Sequence, residues 1–207
     1  MFIDCKEKST QEIYKILIGS VIPRPIAWVS TVGLNNVNNL APFSFFNCLG
    51  VDPPMIGFSP AYKSIIKQAD QVIREPKDTL RNILETKEFV VNIVSKDLSV
   101  QMNQSSAEYP PEISEFEKVG VTPAPAKMIK APLVAEAPIN FECKLIEHIQ
   151  YGNNNLVLGE IVCMHLDDKV IDARGHIRSE VLQAVGRMAG SSYTTTTDGN
   201  FELKRPF

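Results

Sequence analysis

The stretch from Pro23 to Pro60, PRPIAWVSTVGLNNVNNLAPFSFFNCLGVDPPMIGFSP, constrains the fold of this chain more than any other. A β-rich run, Ile26-Ala27-Trp28-Val29, ends in two adjacent hydroxyls, Ser30 and Thr31. A turn-prone segment with Gly33, Asn35, Asn36, Asn38 and Asn39 follows. The pattern predicts strands over about Ile26 to Val32 and about Asn39 to Asn47, the second holding Ser44. After Asp52-Pro53-Pro54 comes a third short strand, Met55 to Ser59. Aromatic and aliphatic walls carrying a few directed hydroxyls and amides suit a pocket for a planar, partly polar cofactor. The same residues also suit a buried hairpin whose polar groups satisfy its own turn.

Elsewhere the punctuation is clear. Ser9 and Thr10, with Glu12 behind them, cap a short helix that ends by Gly19 and Pro23. Glu75 to Lys87 reads as the best helix: Leu80, Ile83, Leu84 and Lys87 recur at helical spacing after Asp78, a capping residue. Thr79 and Asn82 share one flank of it near its N-terminus, where free N–H groups and the dipole favour an anion, and Lys77 lies just before. Thr79 equally suits a plain helix start, and Lys77 a solvated charge. Phe89 to Val94 is a near-continuous apolar strand, in which Asn92 is either a satisfied core amide or part of a pocket wall. A short helix is expected from Asp97 to about Ser105, and a proline-marked, irregular passage up to Pro138 wraps the core. Ile139, Phe141, Cys143 and Leu145 alternate with Asn140, Glu142 and Lys144, which predicts a strand with one buried face. Gly152 and three asparagines then turn it into a long hairpin. His148 and His165 show no evident partnership with a carboxylate or nucleophile in local sequence and read as partly buried or surface histidines, not catalytic bases.

Composition excludes several classes. The 207 residues suit one domain, and a net charge of −3 without a basic run gives no nucleic-acid surface. No apolar stretch reaches membrane-span length and the N-terminus lacks a signal-peptide pattern, so a cytoplasmic protein is expected. Cys5, Cys48, Cys143 and Cys163 are scattered, with no CxxC pair and no histidine at metal-ligand spacing, so free, mostly buried thiols and no metal are expected. There is no dinucleotide GxGxxG loop, no GxxxxGK[ST] and no GxSxG elbow. No acid–base or nucleophile constellation emerges either, which suits a protein that leaves its chemistry to a bound redox cofactor. Many short strands with one prominent helix point to an antiparallel barrel.

The strings RPIAWVST, NLAPFSFFN with its following DPP, KDTLRNILET, FVVNIV and VGRMAGSSY, in that order, resemble the flavin reductase-like, FMN-binding split-barrel family over most of the chain. The resemblance implies a mainly β fold with some α: a Greek-key split barrel with a few peripheral helices, one domain over residues 1–207. It also implies a homodimer with flavin at or near the subunit interface. By the same resemblance, Ser30, Thr31, the Asn39-Leu40-Ala41 backbone and Ser44 hold the flavin ring and ribityl chain. Lys77, Thr79 and Asn82 meet the phosphate, Arg187 and Tyr193 close the site, and Trp28 and Phe45 neighbour the ring. No catalytic side chain is implied. The loop before NLAP departs from the family, which has an acidic residue and Gly where this chain has Gly33-Leu34-Asn35-Asn36-Val37-Asn38.

The activity implied is an NAD(P)H-dependent FMN reductase, in which hydride passes from NADH or NADPH to bound FMN and on to a protein or small-molecule acceptor. A flavoredoxin-like FMN electron carrier, exchanging electrons with a protein partner, is the alternative. A split-barrel module for another cofactor is the third.

Overall fold

Ser9 accepts a hydrogen bond from the Glu12 N–H while the Glu12 carboxylate accepts from the Ser9 N–H, a capping box that starts α1 (Thr10–Ser20). The computed structural model describes residues 1–68, 71–204 and 206. No residue of α1 is buried. Next come β1 (Arg24–Pro25) and β2 (Ala27–Val32), and a tight turn with Asn36 at φ 61° leads into β3 (Asn38–Phe43).

The one strand expected over Asn39 to Asn47 is two. The chain bends at Ser44 and Phe45 and resumes as β4 (Phe46–Val51). The bend is held from outside: Arg24 Nε donates to Ser44 Oγ at 3.3 Å and the Ser59 N–H to the Phe45 carbonyl at 2.8 Å. β5 (Pro54–Phe58) follows as expected. A hairpin not foreseen in the sequence, β6 (Tyr62–Gln68) with β7 (Gln71–Pro76), then takes up the residues expected to open the best helix. That helix, α2 (Asp78–Thr86), therefore begins later than Glu75. Lys77, not Asp78, occupies the cap position and makes no side-chain cap bond.

After β8 (Glu88–Ile93) come α3 (Ser99–Gln104) and α4 (Glu115–Val119), the latter not foreseen, and the short pair β9 (Pro123–Ala124) and β10 (Leu133–Val134). The long hairpin is β11 (Ile139–Tyr151) and β12 (Asn154–Leu166), and α5 (Ser179–Leu182), β13 (Val185–Arg187) and β14 (Tyr193–Thr195) finish the described chain. None of the described helices is long and apolar enough to cross a membrane.

Seven strands form one antiparallel sheet in the order β3-β2-β8-β11-β12-β5-β4. Its two edge strands, β3 and β4, are consecutive in the chain but do not pair with each other, so the sheet curls into a barrel that stays split along one seam. Phe43 on β3 reaches across to β5, its ring centroid 5.1 Å from that of Phe58, and Phe58 in turn meets Phe89 at 5.6 Å. Leu80 and Ile83 of α2 join these rings with Val29, Val91 and Val157, so α2 packs against the barrel interior. Gly159 is needed there, because a Cβ would overlap the Phe89 ring. A second apolar cluster on the other sheet face holds Trp28, Leu40, Val94, Met102 and Phe116.

Asn140 and Glu142, expected on the exposed face of β11, are buried. The passage from Thr122 to Val134 straps across that face. Its backbone groups, lacking a full ladder of their own, are met by side chains rising from the sheet. Ser30 donates to the Pro132 carbonyl at 2.5 Å and Asn92 accepts from the Val134 N–H at 2.9 Å. Glu142 accepts from Lys127 and Met128 N–H at 2.7 Å each. Asn92 also donates to the Trp28 carbonyl and Ser30, which makes it a satisfied core amide.

Candidate functional site

Four side chains weld the first turns of α2 to the β2–β3 turn. Thr79 Oγ1 donates to Asn39 Oδ1 at 2.7 Å, Asn82 Nδ2 donates to Thr31 Oγ1 at 3.0 Å, and Thr31 Oγ1 leans on Asn39 Oδ1 at 3.4 Å. The register makes this possible, since Thr31 and Asn39 are partners across β2 and β3. All four are buried. Asn39 Nδ2 then donates to Glu115 Oε1 and the Leu40 N–H to Glu115 Oε2, both at 2.9 Å, which fixes α4 to the same place.

Glu115 was not singled out in the sequence; the acidic residue at the start of a five-residue helix gives no periodic signal there. Burial pushes its carboxyl above the usual range, and the Asp78 charge adds to the effect. The bonds from Leu40 and Asn39 pull the other way.

Two cavities run along β3, the smaller of them bordering this weld. The smaller, about 60 Å³, lies against the start of α2 and is lined by Asn39, Ala41, Lys63, Lys77, Thr79 and Ser106 among others. Lys77 makes no cap bond, and among the described residues no side chain accepts from the backbone N–H groups of the first turn of α2. The larger, about 510 Å³, is walled by Arg24, Phe43, Ser44, Ser106, Arg187 and Tyr193. Ser106 lines both, so they adjoin. Among the described residues, no carboxylate lines the larger cavity.

Its two guanidiniums are held differently. Arg24 is buried and spends its donors on neutral acceptors: the carbonyls of Ile18 at 2.7 Å, Val21 at 3.0 Å and Met188 at 3.3 Å, and Ser44. Arg187 lies 4.5 Å over the Tyr193 ring, donates to the Tyr193 hydroxyl and to the Gly190 carbonyl, and Tyr193 passes a bond of 2.9 Å to Asn103.

The candidate residues thus divide. Asn39, Ala41, Lys77 and Thr79 line the smaller cavity, and Ser44, Arg187 and Tyr193 the larger. Trp28, expected beside a ring, is wholly buried in the core with its indole donating to Ser105 Oγ at 2.9 Å. Ser30 serves the strap, the Leu40 backbone N–H is spent on Glu115 while its side chain joins the core, and Thr31 and Asn82 serve the weld, Asn82 lying outside the lining of the smaller cavity. Phe45 is half exposed and lines an apolar groove with Leu17, Val21, Pro23 and Phe46, which adjoins the larger cavity at Arg24 and Ser44. The thiols also differ from expectation: Cys5 and Cys48 are exposed, Cys163 half-buried and only Cys143 buried, its thiol pushed far up by desolvation.

Residues 18–181 match the flavin reductase like domain. The chain belongs to the flavin reductase-like family. Nitrilotriacetate monooxygenase component B from Bacillus cereus is similar over 98% of both chains, with 35% identity and a TM-score of 0.90. The 2-nitrobenzoate 2-nitroreductase NbaA of Pseudomonas fluorescens aligns with all of this chain and 96% of its own, at 34% identity and a TM-score of 0.86. A split-barrel-domain protein from Shewanella frigidimarina aligns over 100% of this chain and 99% of its own, at 25% identity and a TM-score of 0.81. The split sheet described above is therefore the family's flavin-protein barrel, and oxidoreductase chemistry is its class.

Proposed function

We propose that the protein is an FMN-dependent flavin reductase that draws electrons from NADH or NADPH and hands them to a separate acceptor. One observation supports this most: adjoining cavities along β3, one against an uncapped helix start with Lys63 and Lys77 nearby, the other aromatic, cationic and without a carboxylate. The first fits a terminal phosphate, for which backbone N–H groups and the dipole are a ready site. Asp78, Glu108 and Glu115 border it as well, but Asp78 is paired with Arg81 and Glu115 turns its oxygens to the Asn39 amide and the Leu40 N–H. The second, about 510 Å³ with Phe43 and Tyr193 in its wall, suits planar rings.

When bound, FMN supplies an isoalloxazine that takes up two electrons and a proton and releases them to an acceptor. The chain's own residues bind and orient. Lys77 and the start of α2 hold the phosphate, and the β3 backbone at Asn39 and Ala41 lines the path toward Ser44. Arg187, propped by Tyr193 and Gly190, faces the anionic part of the nicotinamide nucleotide. No side chain here is asked to move a proton in the chemical step.

The apolar groove at Phe45, with exposed Leu17 and Val21 on and beside α1, supports a second copy of the chain closing that side of the site. The Bacillus cereus neighbour bears the name of one component of a monooxygenase, which supports a partner enzyme as acceptor.

Anaerobic mixing of the FMN-loaded protein with NADH or NADPH tests the reading. The flavin absorption band bleaches within seconds to minutes if it holds. If neither nucleotide reduces the flavin while dithionite does, the protein is an electron carrier.

A further inference from the structure

On the far side of β11–β12 from α2, Glu142 and Cys163 are cross-strand partners, and His165 lies two residues further along β12. His165 Nε2 is 2.5 Å from Glu142 Oε1 and 3.7 Å from Cys163 Sγ, and all three donor atoms lie within 4.8 Å of one another. We propose that Glu142, Cys163 and His165 form a binding site for a thiophilic divalent cation of the zinc class, completed by water.

The convergence on one atom carries the argument. In a nucleophilic relay the thiol and the carboxylate address opposite ring nitrogens of the histidine. Here both address Nε2, which can give at most one proton to two acceptors. A cation at the meeting point satisfies all three donors together.

The dimensions agree. Bonds of about 2.0–2.3 Å in a tetrahedral site put neighbouring ligand atoms roughly 3.3–3.8 Å apart. The Sγ to Nε2 separation of 3.7 Å already fits, and Nε2 and Oε1 open by about 1 Å when the proton between them gives way. Cys163 releases its thiol proton to solvent, and His165 carries its remaining proton on Nδ1. One thiolate and one carboxylate then cancel the two charges of the cation, as a partly buried site requires.

The surrounding bonds suit a ligand set. Glu142 is wholly buried and held by the Lys127 and Met128 N–H groups at 2.7 Å, the kind of outer contact that orients a metal-bound carboxylate. The His165 side chain is 22% exposed, which gives the cation a way in. The bound ion would pin the strap at Lys127 and Met128 to the barrel, away from the cavities along β3.

Cobalt(II) is the probe. Chelator-treated protein without an affinity tag should bind one equivalent of Co²⁺ with a thiolate-to-cobalt charge-transfer band, read as a difference spectrum over any flavin, and Zn²⁺ should displace it. Cys163→Ala should abolish the band and weaken Zn²⁺ binding by at least about 100-fold, since outer contacts alone are worth 10- to 100-fold. Cys5→Ala and Cys48→Ala together should leave both intact. Absence of the band, or its survival in Cys163→Ala, would overturn the site. The strand residue Cys163 is half-buried, so its alanine variant should fold; an unchanged far-ultraviolet spectrum checks that.

Discussion

Thr79 gives its hydroxyl proton to Asn39 Oδ1 at 2.7 Å, inside the wall of the cavity that both residues line. The bond ties the first turn of α2 to β3, so Thr79 acts on the site through the position of the helix. A hydroxyl committed inward in this way cannot also donate to a ligand.

Replacing Thr79 with Val keeps its shape and leaves Asn39 Oδ1 with only the 3.4 Å contact from Thr31. Leaving a buried acceptor short of a partner costs about 1–3 kcal/mol. Urea denaturation of the flavin-free protein should show a loss of that size. An unchanged midpoint would mean that the Thr79–Asn39 bond contributes nothing to stability.

Lys77 is the opposite case, a cation at the cap position with no side-chain cap bond. Lys77→Ala should leave the melting temperature within a degree or two and weaken FMN binding by roughly 10- to 100-fold, as hydrogen bonds to a charged group are worth about 1.5–3 kcal/mol. Fluorescence titration of flavin measures it. Tight binding by the variant would move the phosphate elsewhere.

The elements with strong local signals were legible before the structure: the capped α1, the β2 strand, α2 from Leu80 onward and the β11–β12 hairpin. What the sequence hid has a common cause. Asn92, Ser30 and Glu142 serve the backbone of the strap, and no pattern in β8, β2 or β11 says that a proline-marked segment far along the chain will lie on them. Glu142 reads as a solvent residue because strand alternation assumes one covered face. Its partner His165 lies 23 residues away, a pairing set only by hairpin register. For the site, residue type carried no direction: Lys77, Ser44 and Arg187 line the two cavities along β3, while Trp28, from an equally suggestive string, faces the core and Asn82 is spent on Thr31.

Glu115 supplies a pH dependence. Its folded-state pKa is raised by burial and the Asp78 charge, so between the ordinary glutamate value and that raised value the folded protein holds more protons than the unfolded chain. Stability therefore falls as pH rises from about 4 and levels off once the folded-state pKa is passed. Glu115→Gln removes the titration and should flatten that part of the curve, at the cost of one bond to Asn39 or Leu40. Denaturation midpoints across the acid range decide it, and an identical slope in the variant would show that Glu115 ionises as it does in the unfolded chain.

Arg187 gives the clearest separation of binding from chemistry. Its guanidinium is propped by the Gly190 carbonyl and the Tyr193 ring and hydroxyl, and it faces a cavity whose other charged wall residue, Arg24, is occupied by backbone carbonyls. An anionic nucleotide entering there meets positive charge unopposed by a carboxylate, and a guanidinium suits phosphate oxygens in a planar, two-point contact. Arg187→Ala should raise KM for the preferred nicotinamide nucleotide by about 10- to 100-fold, the range for losing one charge-assisted bond, with kcat and FMN affinity changed by a few-fold at most. Arg187→Lys should recover only part of the loss, because an ammonium keeps the charge without the fork. Added salt should raise KM for the wild type more steeply than for the alanine variant, since screening acts on the charge that the variant lacks. If Arg187→Ala lowers kcat and leaves KM and its salt dependence as in the wild type, the residue acts at the reacting ring and the nucleotide's charged part binds outside this cavity.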